Sequence, residues 1–423
     1  MFETRPQKTQ ERALLIGLEK KGVSKWDLHD SLDELRELAN SAGAEVVDTV
    51  TQKLQKPTAP YYIGRGKAES IKESCQDQRV TSVIFNDELS PAQGRNLENL
   101  FARKVLDRTQ LILDIFAQRA RSREGRLQIE LAQLQYLLPR LTRMWHHLSR
   151  QTGGIGTRGP GETQLEVDRR RVQERIARLE RELEAVRKTR AIQRESRKRH
   201  QWPVAAVVGY TNAGKSTLLN LLTGADVVTE NKLFATLDPT TRSLVLPNKQ
   251  RVLLTDTVGF LRKLPHTLIE SFKATLEEVS EADLLIHIVD LSHPRVDEQM
   301  EAVDGVIKEL NAFGKQTLIV FNKIDNLPNR ELAESYLKRF SGSVAISART
   351  GEGVNDLVQA LEHTLSSWRL RSRFRISATE SALIAEIHRV GHVLELRYDD
   401  NDAVILAHVP PDLAQKLERY AEG

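Results

Sequence analysis

A glycine-rich loop between an apolar run and a leucine-rich stretch constrains this chain more than any other feature. It reads Gly209-Tyr-Thr-Asn-Ala-Gly-Lys-Ser216, follows Val204–Val208 and precedes Thr217–Leu222. A loop of this form between a strand and a helix binds phosphate, because its backbone N–H groups and the helix N-terminus surround phosphate oxygens. We expect Lys215 to reach the β- and γ-phosphates and the Ser216 hydroxyl to bind Mg²⁺.

A second motif supplies the partners that a phosphate loop needs. The segment Leu253-Leu-Thr-Asp-Thr-Val-Gly259 is an apolar strand that ends in an aspartate and continues to a glycine. Asp256 fits the carboxylate that holds Mg²⁺ directly or through water. The Gly259 amide is placed to contact the γ-phosphate, because glycine lets the backbone approach closely.

A third motif predicts which base is bound. Asn322-Lys-Ile-Asp325 closes another apolar strand. The Asp325 carboxylate can accept two hydrogen bonds from guanine, whereas adenine presents no such donor pair and would leave the buried carboxylate unpaired. The Lys323 stem would cover the base, and Ser347-Ala-Arg349 would offer backbone donors to guanine O6. In this order and spacing the three motifs predict a domain that binds GTP or GDP with Mg²⁺.

The two expected switch regions indicate how hydrolysis is controlled. Switch I should lie in Phe234–Arg242, where one threonine completes the Mg²⁺ shell when the γ-phosphate is present; Thr236 is favoured and Thr240 is the alternative. Phe260 follows Gly259, where many GTPases carry a glutamine that orients the attacking water. A phenyl ring cannot make those hydrogen bonds, so we predict slow intrinsic hydrolysis that requires a partner. Simple packing of Phe260 on the sheet is compatible with the same expectation.

The predicted site is therefore assembled from the phosphate loop, both switches and the base-recognition segments. Catalytic roles are assigned to Lys215, Thr236 and Gly259, and Mg²⁺ binding to Ser216, Thr236 and Asp256. The residues expected to contact the nucleotide are Gly209, Tyr210, Thr211, Asn212, Ala213, Gly214, Lys215, Ser216, Thr217, Phe234, Ala235, Thr236, Leu237, Asp238, Asp256, Thr257, Val258, Gly259, Asn322, Lys323, Ile324, Asp325, Ser347, Ala348 and Arg349.

Composition narrows the cellular context. The chain has 423 residues, enough for several domains, and a modest formal net charge of +4. Its single cysteine, Cys75, excludes an internal disulfide framework and points to a reducing compartment, and no activating motif surrounds that thiol. No apolar run approaches the roughly 18 residues of a membrane span, and the N-terminus is charged rather than signal-like. We expect a cytoplasmic monomer without an integral membrane span.

The first 115 residues predict a small α/β domain. Apolar strand-like segments such as Arg12–Gly17, Ala44–Val50 and Thr81–Phe85 alternate with amphipathic helical segments, which favours a parallel sheet with helices on its faces. The turn Gly64-Arg-Gly-Lys67 resembles a phosphate-binding turn but lacks the Walker spacing. Two interpretations of this turn remain open: it contacts phosphate or RNA, or it is a plain βα loop.

Residues 116–200 predict an antiparallel helical hairpin with a glycine-rich tip. Apolar residues recur at coiled-coil-like spacing in two stretches, and Pro139 should kink the first: Leu127, Leu131, Leu134, Leu138, Leu141 and Leu148, then Leu165, Val172, Ile176, Leu179, Leu183 and Val186. The segment between them, Gly153–Glu162, is too glycine-rich to be helical. Arginines and Trp145 around an exposed tip favour contact with RNA, against the alternative of a core pair with an idle linker: Arg140, Arg143, Arg150, Arg158, Arg169–Arg171 and Arg197–Arg199.

The order of these parts resembles the bacterial HflX GTPases over essentially the whole chain. The segments that carry the resemblance are Gly153–Glu162, Ala235–Thr241 and Asp256–Phe260. The resemblance implies a GTPase that is stimulated by the ribosome, binds mainly its large subunit and splits or rescues stalled ribosomes, notably under heat stress. It also implies that the tip lies against ribosomal RNA. The hydrophobic residue after the switch II glycine is shared with that family.

The expected architecture is thus an α/β multidomain chain. It comprises an N-terminal α/β domain (1–115), the helical hairpin (116–200), a P-loop GTP-binding domain (201–368) and a small C-terminal α/β domain (369–423) with a hairpin turn at Asp399–Asp402. Two functions compete: a nucleotide-gated ribosome-remodelling enzyme, and a GTP-dependent RNA-binding module for ribosome assembly or tRNA modification. The resemblance favours the first.

Overall fold

The computed structural model divides the chain into two compact units. One comprises Met1–Val186 with Leu264–Phe272, and the other comprises Arg187–Lys263 with Lys273–Gly423. The structure describes residues 11–22, 24–141, 160–198, 202–224, 233–234, 236–262, 276–366, 370–399 and 401–422, without the side chains of 160–165, 190–198 and 412. Several residues of the sequence analysis lie outside these ranges, namely Arg143, Trp145, Leu148, Arg150, most of the glycine-rich tip (153–159), Arg199 and Ala235.

The first unit contains the small parallel sheet that the sequence predicts. Its strand order is β2-β1-β3-β4, with β1 Glu11–Glu19, β2 Ala44–Lys53, β3 Ser82–Phe85 and β4 Lys104–Asp107. Helices Lys25–Ser41, Arg65–Asp77, Pro91–Phe101 and Arg108–Arg119 alternate with the strands. The apolar core includes Leu14, Ile16, Val83 and Phe85, all buried on the short central strands. The predicted fold class is confirmed for this part of the chain.

The turn at Gly64 leads directly into a helix. The Gly64 N–H donates to Oε1 of Gln52 at 2.9 Å, so this amide is already used within the protein. Arg65 forms an ion pair with Glu69 one turn later. The local structure is therefore that of a βα loop, and contact with phosphate or RNA stays a prediction.

Two long helices pair in antiparallel fashion in the first unit, and the second of them continues beyond Val186 into residues of the other unit. Helix Arg123–Leu141 contributes Leu127 and Leu131 and helix Pro160–Lys198 contributes Leu179 and Leu183 to one buried cluster. Two ion pairs between the helices show that they run in opposite directions: Glu130 lies 2.7 Å from Arg175, and Arg123 lies 4.0 Å from Glu182. The residue numbers rise along one helix as those of the partner residues fall along the other. Pro139 lies in the last turn of the first helix, and the second begins at Pro160, where a missing N–H costs nothing. The predicted glycine-rich tip is therefore three residues too long at its C-terminal end.

Arg140 belongs to the structure of this unit. Its guanidinium donates to Asp107 Oδ2 at 3.3 Å and to the Leu89 carbonyl at 2.9 Å, and its centre lies 3.4 Å from the centroid of the Tyr136 ring. The grouping of Arg140 with RNA-binding arginines is thus corrected, because a buried carboxylate already compensates its charge.

The second unit contains a six-stranded sheet that is parallel except at one edge. The order is β10-β9-β8-β5-β7-β6, with β5 Val204–Gly209, β6 Thr240–Val245, β7 Arg251–Asp256, β8 Leu284–Asp290, β9 Gln316–Asn322 and β10 Val344–Ala345; only β6 is antiparallel to its neighbour. Helices Lys215–Thr223, Val296–Glu309 and Glu331–Arg339 connect successive strands, helix Val354–Thr364 follows β10, and a 3₁₀ turn lies at Ile324–Asn326. Because β5, β7 and β9 run in parallel, their carboxyl ends deliver the three predicted motifs to one edge.

A four-stranded antiparallel sheet follows in the same unit. Its order is β12-β13-β11-β14, with β11 Leu370–Ser377, β12 His392–Asp399, β13 Asp402–Val409 and β14 Ala421–Glu422. Helices Ser381–Val390 and Pro411–Lys416 and a 3₁₀ turn at Glu418–Tyr420 complete it, with Phe374, Ile376 and Ile405 in the core. The predicted hairpin at Asp399–Asp402 is present, whereas β11 was not foreseen.

Candidate nucleotide-binding site

The phosphate loop takes a conformation that only glycine allows at two of its positions. Gly209 has φ +152° and Gly214 has φ +98°. A Cβ on Gly209 would collide with the Ile288 carbonyl oxygen, and a Cβ on Gly214 would collide with the side-chain amide of Asn322. The loop is therefore packed against its neighbours as tightly as the backbone permits.

Lys215 is buried under this loop at the start of helix Lys215–Thr223. Its ammonium donates to the carbonyls of Gly209 at 3.2 Å and Tyr210 at 2.7 Å. Burial lowers the pKa of Lys215 to about 8, the nearby Asp256 carboxylate raises it and Lys323 lowers it further. A buried cation that is only partly compensated by its surroundings is an arrangement suited to phosphate oxygens.

Three oxygen atoms converge beside Lys215. Ser216 Oγ lies 2.7 Å from Asp256 Oδ2, Thr236 Oγ1 lies 2.8 Å from the same oxygen, and the two hydroxyls are 2.8 Å apart. Asp256 Oδ1 is buried and has no hydrogen-bond partner among the described residues. Burial raises the pKa of Asp256, while Lys215, Ser216 and Thr236 oppose that rise.

These oxygens fit a bound Mg²⁺. Hydroxyl and carboxylate oxygens are the hard ligands that this ion prefers, and it usually takes one or two carboxylates together with substrate phosphates and water. Within the described parts of the chain, no cluster of three His, Cys, Asp or Glu side chains that could hold a metal is present. An ion at Asp256 would thus rely on the two hydroxyls and on phosphate oxygens for its remaining ligands.

Switch I is closed over this point. Thr236 is flanked by the buried side chains of Leu233, Phe234 and Leu237, which hold the segment down. Thr240 instead begins strand β6, and its hydroxyl makes only a 3.5 Å contact with the carbonyl of Asp238 two residues before it. Both threonines lie near Asp256, because Thr240 pairs with it across the β6–β7 ladder, but it is the Thr236 hydroxyl that is within hydrogen-bond distance of Ser216 and the Asp256 carboxylate.

Switch II starts at the end of β7 and is drawn towards the phosphate loop. Thr257 Oγ1 donates to the Val207 carbonyl at 2.7 Å, and Val258 is buried. A Cβ on Gly259 would lie 2.8 Å from the Lys215 ammonium, so the backbone here comes as close to that cation as a glycine allows. The next residue, Phe260, is only 1% exposed, and its ring is directed into the protein interior.

The base-recognition segments meet at the end of β9. Asn322 is buried and bonds the phosphate loop to the loop that contains Ser347 and Ala348. Lys323 has φ +66° and its ammonium lies 2.7 Å from Asp290 Oδ2. Ile324 is buried, Asp325 is half-buried in the 3₁₀ turn, and Arg349 is exposed. The Ser347 N–H donates to the Glu352 carbonyl at 2.9 Å.

Two buried or half-buried residues near the site were missed by the sequence analysis. Asp290 ends strand β8 and neutralises Lys323, and His287 on the same strand is 3% exposed. Burial, and to a lesser extent the charge of Lys215, lowers the pKa of His287 to about 4. An apolar run that ends in an aspartate was available as a signal for Asp290, since Asp256 was found by that rule.

Three families of known proteins match successive parts of the chain. Residues 29–117 match the family described as GTP-binding GTPase N-terminal, and residues 119–197 match the GTP-binding GTPase middle region. Residues 204–323 match the family described as 50S ribosome-binding GTPase. Together these matches extend from the first helix to the base-recognition motif.

Relatives in several bacteria are similar over nearly the whole length. The chain is 47% identical to the GTPase HflX of Caldanaerobacter subterraneus subsp. tengcongensis, with 97% of this chain and 94% of the relative covered. It is 47% identical to the GTPase HflX of Lacrimispora saccharolytica, with 98% and 97% covered, and 44% identical to that of Magnetococcus marinus, with 100% and 97% covered. Among the described residues, no helix is long and apolar enough to span a bilayer.

Proposed function

This chain belongs to the HflX family of GTPases, and from that premise we propose that it is a cytoplasmic factor that binds the large ribosomal subunit under the control of GTP. The protein hydrolyses GTP to GDP and phosphate with Mg²⁺. The proposal adds that it splits or rescues stalled ribosomes under stress such as heat, and that hydrolysis releases it. One observation carries the choice of partner: residues 204–323 match a family of 50S ribosome-binding GTPases.

The site residues divide the work on the phosphates. Mg²⁺, when bound, supplies the positive charge that neutralises the β- and γ-phosphate oxygens. Ser216 and Thr236 would present their hydroxyl oxygens to that ion, and Asp256, whose Oδ1 is buried without a hydrogen-bond partner among the described residues, would supply a carboxylate oxygen. Lys215 stays charged beside the phosphates because the negative charge of the nucleotide restores a pKa that burial alone lowers.

The base side of the site supports selection of guanine. Asp325 accepts hydrogen bonds from the base, and the Lys323 stem covers one face of it while its ammonium is held by Asp290. The backbone amide of Ala348 is not available to the base, since it donates to Asn322 Oδ1 at 2.9 Å. We therefore assign the contact with guanine O6 to the backbone N–H of Arg349. The charged side chain of Arg349 is exposed and has no role in this contact.

The buried ring of Phe260 supports a low intrinsic rate. With its side chain 1% exposed, this residue offers no group that could orient a water molecule at the γ-phosphate. A bound partner then orients the attacking water, either with polar groups of the partner itself or by fixing the conformation of switch II. Stimulation by the large subunit follows from this requirement.

The helical hairpin supports a role as the RNA-binding arm. Arg169 is exposed and has no ion pair among the described residues, whereas Arg170 and Arg171 pair with Glu174 and Asp168. The basic run is therefore partly neutralised on the helix itself. RNA contact is accordingly assigned mainly to the tip, Gly153–Glu162, whose glycines and Arg158 suit close approach to a phosphate backbone.

Hydrolysis of GTP by the purified protein, alone and with large subunits, tests the proposal. Lys215→Ala serves as the blank because it removes the cation under the phosphate loop. We expect a slow basal rate and strong stimulation by the subunits. A rate that ribosomes leave unchanged would retain the GTPase but remove the ribosome as its activator, and other RNAs would then be tried.

The hairpin is tested by co-sedimentation with large subunits in the presence of a non-hydrolysable GTP analogue. Replacing Gly153–Glu162 with a short Gly/Ser loop should abolish co-sedimentation and leave GDP affinity intact. Arg158→Ala should weaken it, whereas Arg36→Ala, which alters an exposed arginine on the first helix of the N-terminal sheet domain, should not. Splitting is measured separately, as loss of light scattering from intact ribosomes that depends on GTP; binding without that loss would support the RNA-binding module instead.

A further inference from the structure

The residue after the switch II glycine is joined to the phosphate loop by a short β-type contact. The Phe260 N–H donates to the Gly209 carbonyl at 3.1 Å, and the Thr211 N–H donates to the Phe260 carbonyl at 2.8 Å. Tyr210, between these two loop residues, is thereby bridged in parallel to Phe260. Two backbone bonds thus hold switch II at Phe260, and the Phe260 side chain takes no part in them.

A third bond extends this contact through a side chain. The hydroxyl of Tyr210 accepts a hydrogen bond from the backbone N–H of Arg262 at 2.9 Å. Tyr210 is 8% exposed, and the bond itself is partly buried. The Arg262 guanidinium is held as well, because its Nη1 donates to Glu298 Oε2 at 2.9 Å on helix Val296–Glu309.

The position of Gly259 depends on these bonds. A Cβ at this residue would lie 2.8 Å from Lys215 Nζ and 2.8 Å from Thr211 Cγ2, so these two atoms close the space beside its Cα. A backbone this close to the phosphate-binding cation can present its amide to the γ-phosphate only while the residues that follow stay in place. Those residues are fixed by the phosphate loop itself, through Tyr210.

We propose that Tyr210 is a positioning residue for GTP hydrolysis, whose hydroxyl holds the start of switch II against the phosphate loop so that the Gly259 amide faces the γ-phosphate. The backbone of Tyr210 belongs to the phosphate loop, whereas its phenol acts on switch II through the N–H of Arg262. This role goes beyond GTP binding, because it assigns to a phosphate-loop side chain the task of ordering switch II. It also explains how a site with Phe260 in place of a polar residue keeps that segment in register.

Tyr210→Phe tests the role, because the ring stays and only the acceptor is lost. We expect kcat to fall about three- to tenfold, the effect of one net hydrogen bond, while the affinity for GDP, which has no γ-phosphate, stays unchanged. Tyr336→Phe is the matched control, since its hydroxyl donates to Asp297 at 3.3 Å on the surface of the same domain, away from the phosphates. That variant should retain the wild-type kcat.

Arg262→Pro provides a second route, because proline removes the N–H that donates to Tyr210. It should lower kcat, and combining it with Tyr210→Phe should add little, since both remove the same bond. Unchanged kcat in Tyr210→Phe would overturn the proposal. So would an equal loss of GDP affinity and kcat in both single variants, because this would assign to Tyr210 only the stability of the phosphate loop.

Discussion

The side chain of Asn322 donates a hydrogen bond from Nδ2 to the carbonyl of Ala213 at 2.7 Å. Its Oδ1 accepts one from the Ala348 N–H at 2.9 Å, so one buried amide joins the phosphate loop to the base-recognition loop.

Asn322→Ala should therefore weaken GDP and GTP binding by about tenfold or more, because a buried carbonyl and a buried N–H lose their partners. Titration with a fluorescent GDP analogue measures this. Asn329→Ala, which alters an exposed asparagine of the same domain, is the control, and equal affinities in the two variants would contradict the assignment.

Thr236→Ala and Thr240→Ala separate the two switch I threonines. Thr236 shares Asp256 Oδ2 with Ser216, whereas Thr240 belongs to an edge strand. We expect Thr236→Ala to lower kcat about ten- to hundredfold and to raise the Mg²⁺ concentration needed for half-maximal rate. Thr240→Ala should leave both near wild type. If Thr240→Ala rather than Thr236→Ala raises the Mg²⁺ requirement in a Mg²⁺ titration, the metal ligand is Thr240.

Asp325→Asn should change the base preference of the site from guanine to xanthine. An asparagine can still accept from N1–H but offers an N–H where guanine also has a donor, while xanthine presents an oxygen at that position. We expect GTP affinity to fall about a hundredfold and xanthosine triphosphate to become the better ligand. Competition binding with both nucleotides decides it. If the variant still prefers GTP, Asp325 does not read the base.

Gly214→Ala should abolish nucleotide binding. Gly214 has φ +98° and the added methyl would meet the Asn322 side-chain amide, so both the backbone and the space forbid it. Gly305→Ala is the matched control, because Gly305 lies in helix Val296–Glu309 with nothing within 4 Å of the new methyl. It should bind GDP normally and stabilise the domain slightly, by about 0.5–1 kcal/mol. Nucleotide binding by the first variant would show that the loop can relax.

His287 predicts an acid sensitivity of the nucleotide-binding domain. Burial lowers its pKa from 6.5 to about 4, so the unfolded state takes up the proton first as pH falls. The contribution of neutral His287 to stability is complete above pH 6.5, declines as pH falls through this range and is lost below pH 4, for a total of about 3 kcal/mol. Denaturant unfolding between pH 7 and 4 should show a shallower decline for His287→Gln than for wild type. The exposed His363→Gln should keep the wild-type slope.

The sequence was sufficient for the parts of the fold that rest on local patterns. Apolar runs that end in Gly209, Asp256 and Asn322 predicted three parallel strands, since each motif stands at a carboxyl end. Strand β11 escaped because arginines at 371, 373 and 375 alternate with serine and apolar residues, so that its outward face looks like a charged coil. Periodicity of two was present, but charge concealed it.

Contacts between distant segments could not be predicted in the same way. Nothing in the sequence near Arg140 shows that Asp107, 33 residues away, would bind it. The bond from Arg262 to Tyr210, across 52 residues, is likewise a product of packing. A run of basic residues predicts a nucleic-acid-binding surface only when no buried carboxylate lies close enough to pair with its members. The distance in space between an arginine and a carboxylate far away in the chain cannot be read from the sequence.

Strand β6 has a consequence for how switch I can move. Only three residues separate Thr236 from Thr240, whose Cα pairs with that of Asp256 across the antiparallel ladder. A fully extended chain of that length reaches about 14 Å, so a Thr236 that has let go of its partners still stays close to them. Its hydroxyl then behaves as a tethered ligand with an effective concentration of the order of millimolar. Recapture is an encounter within the chain, which makes the rate of closing independent of how much protein is present.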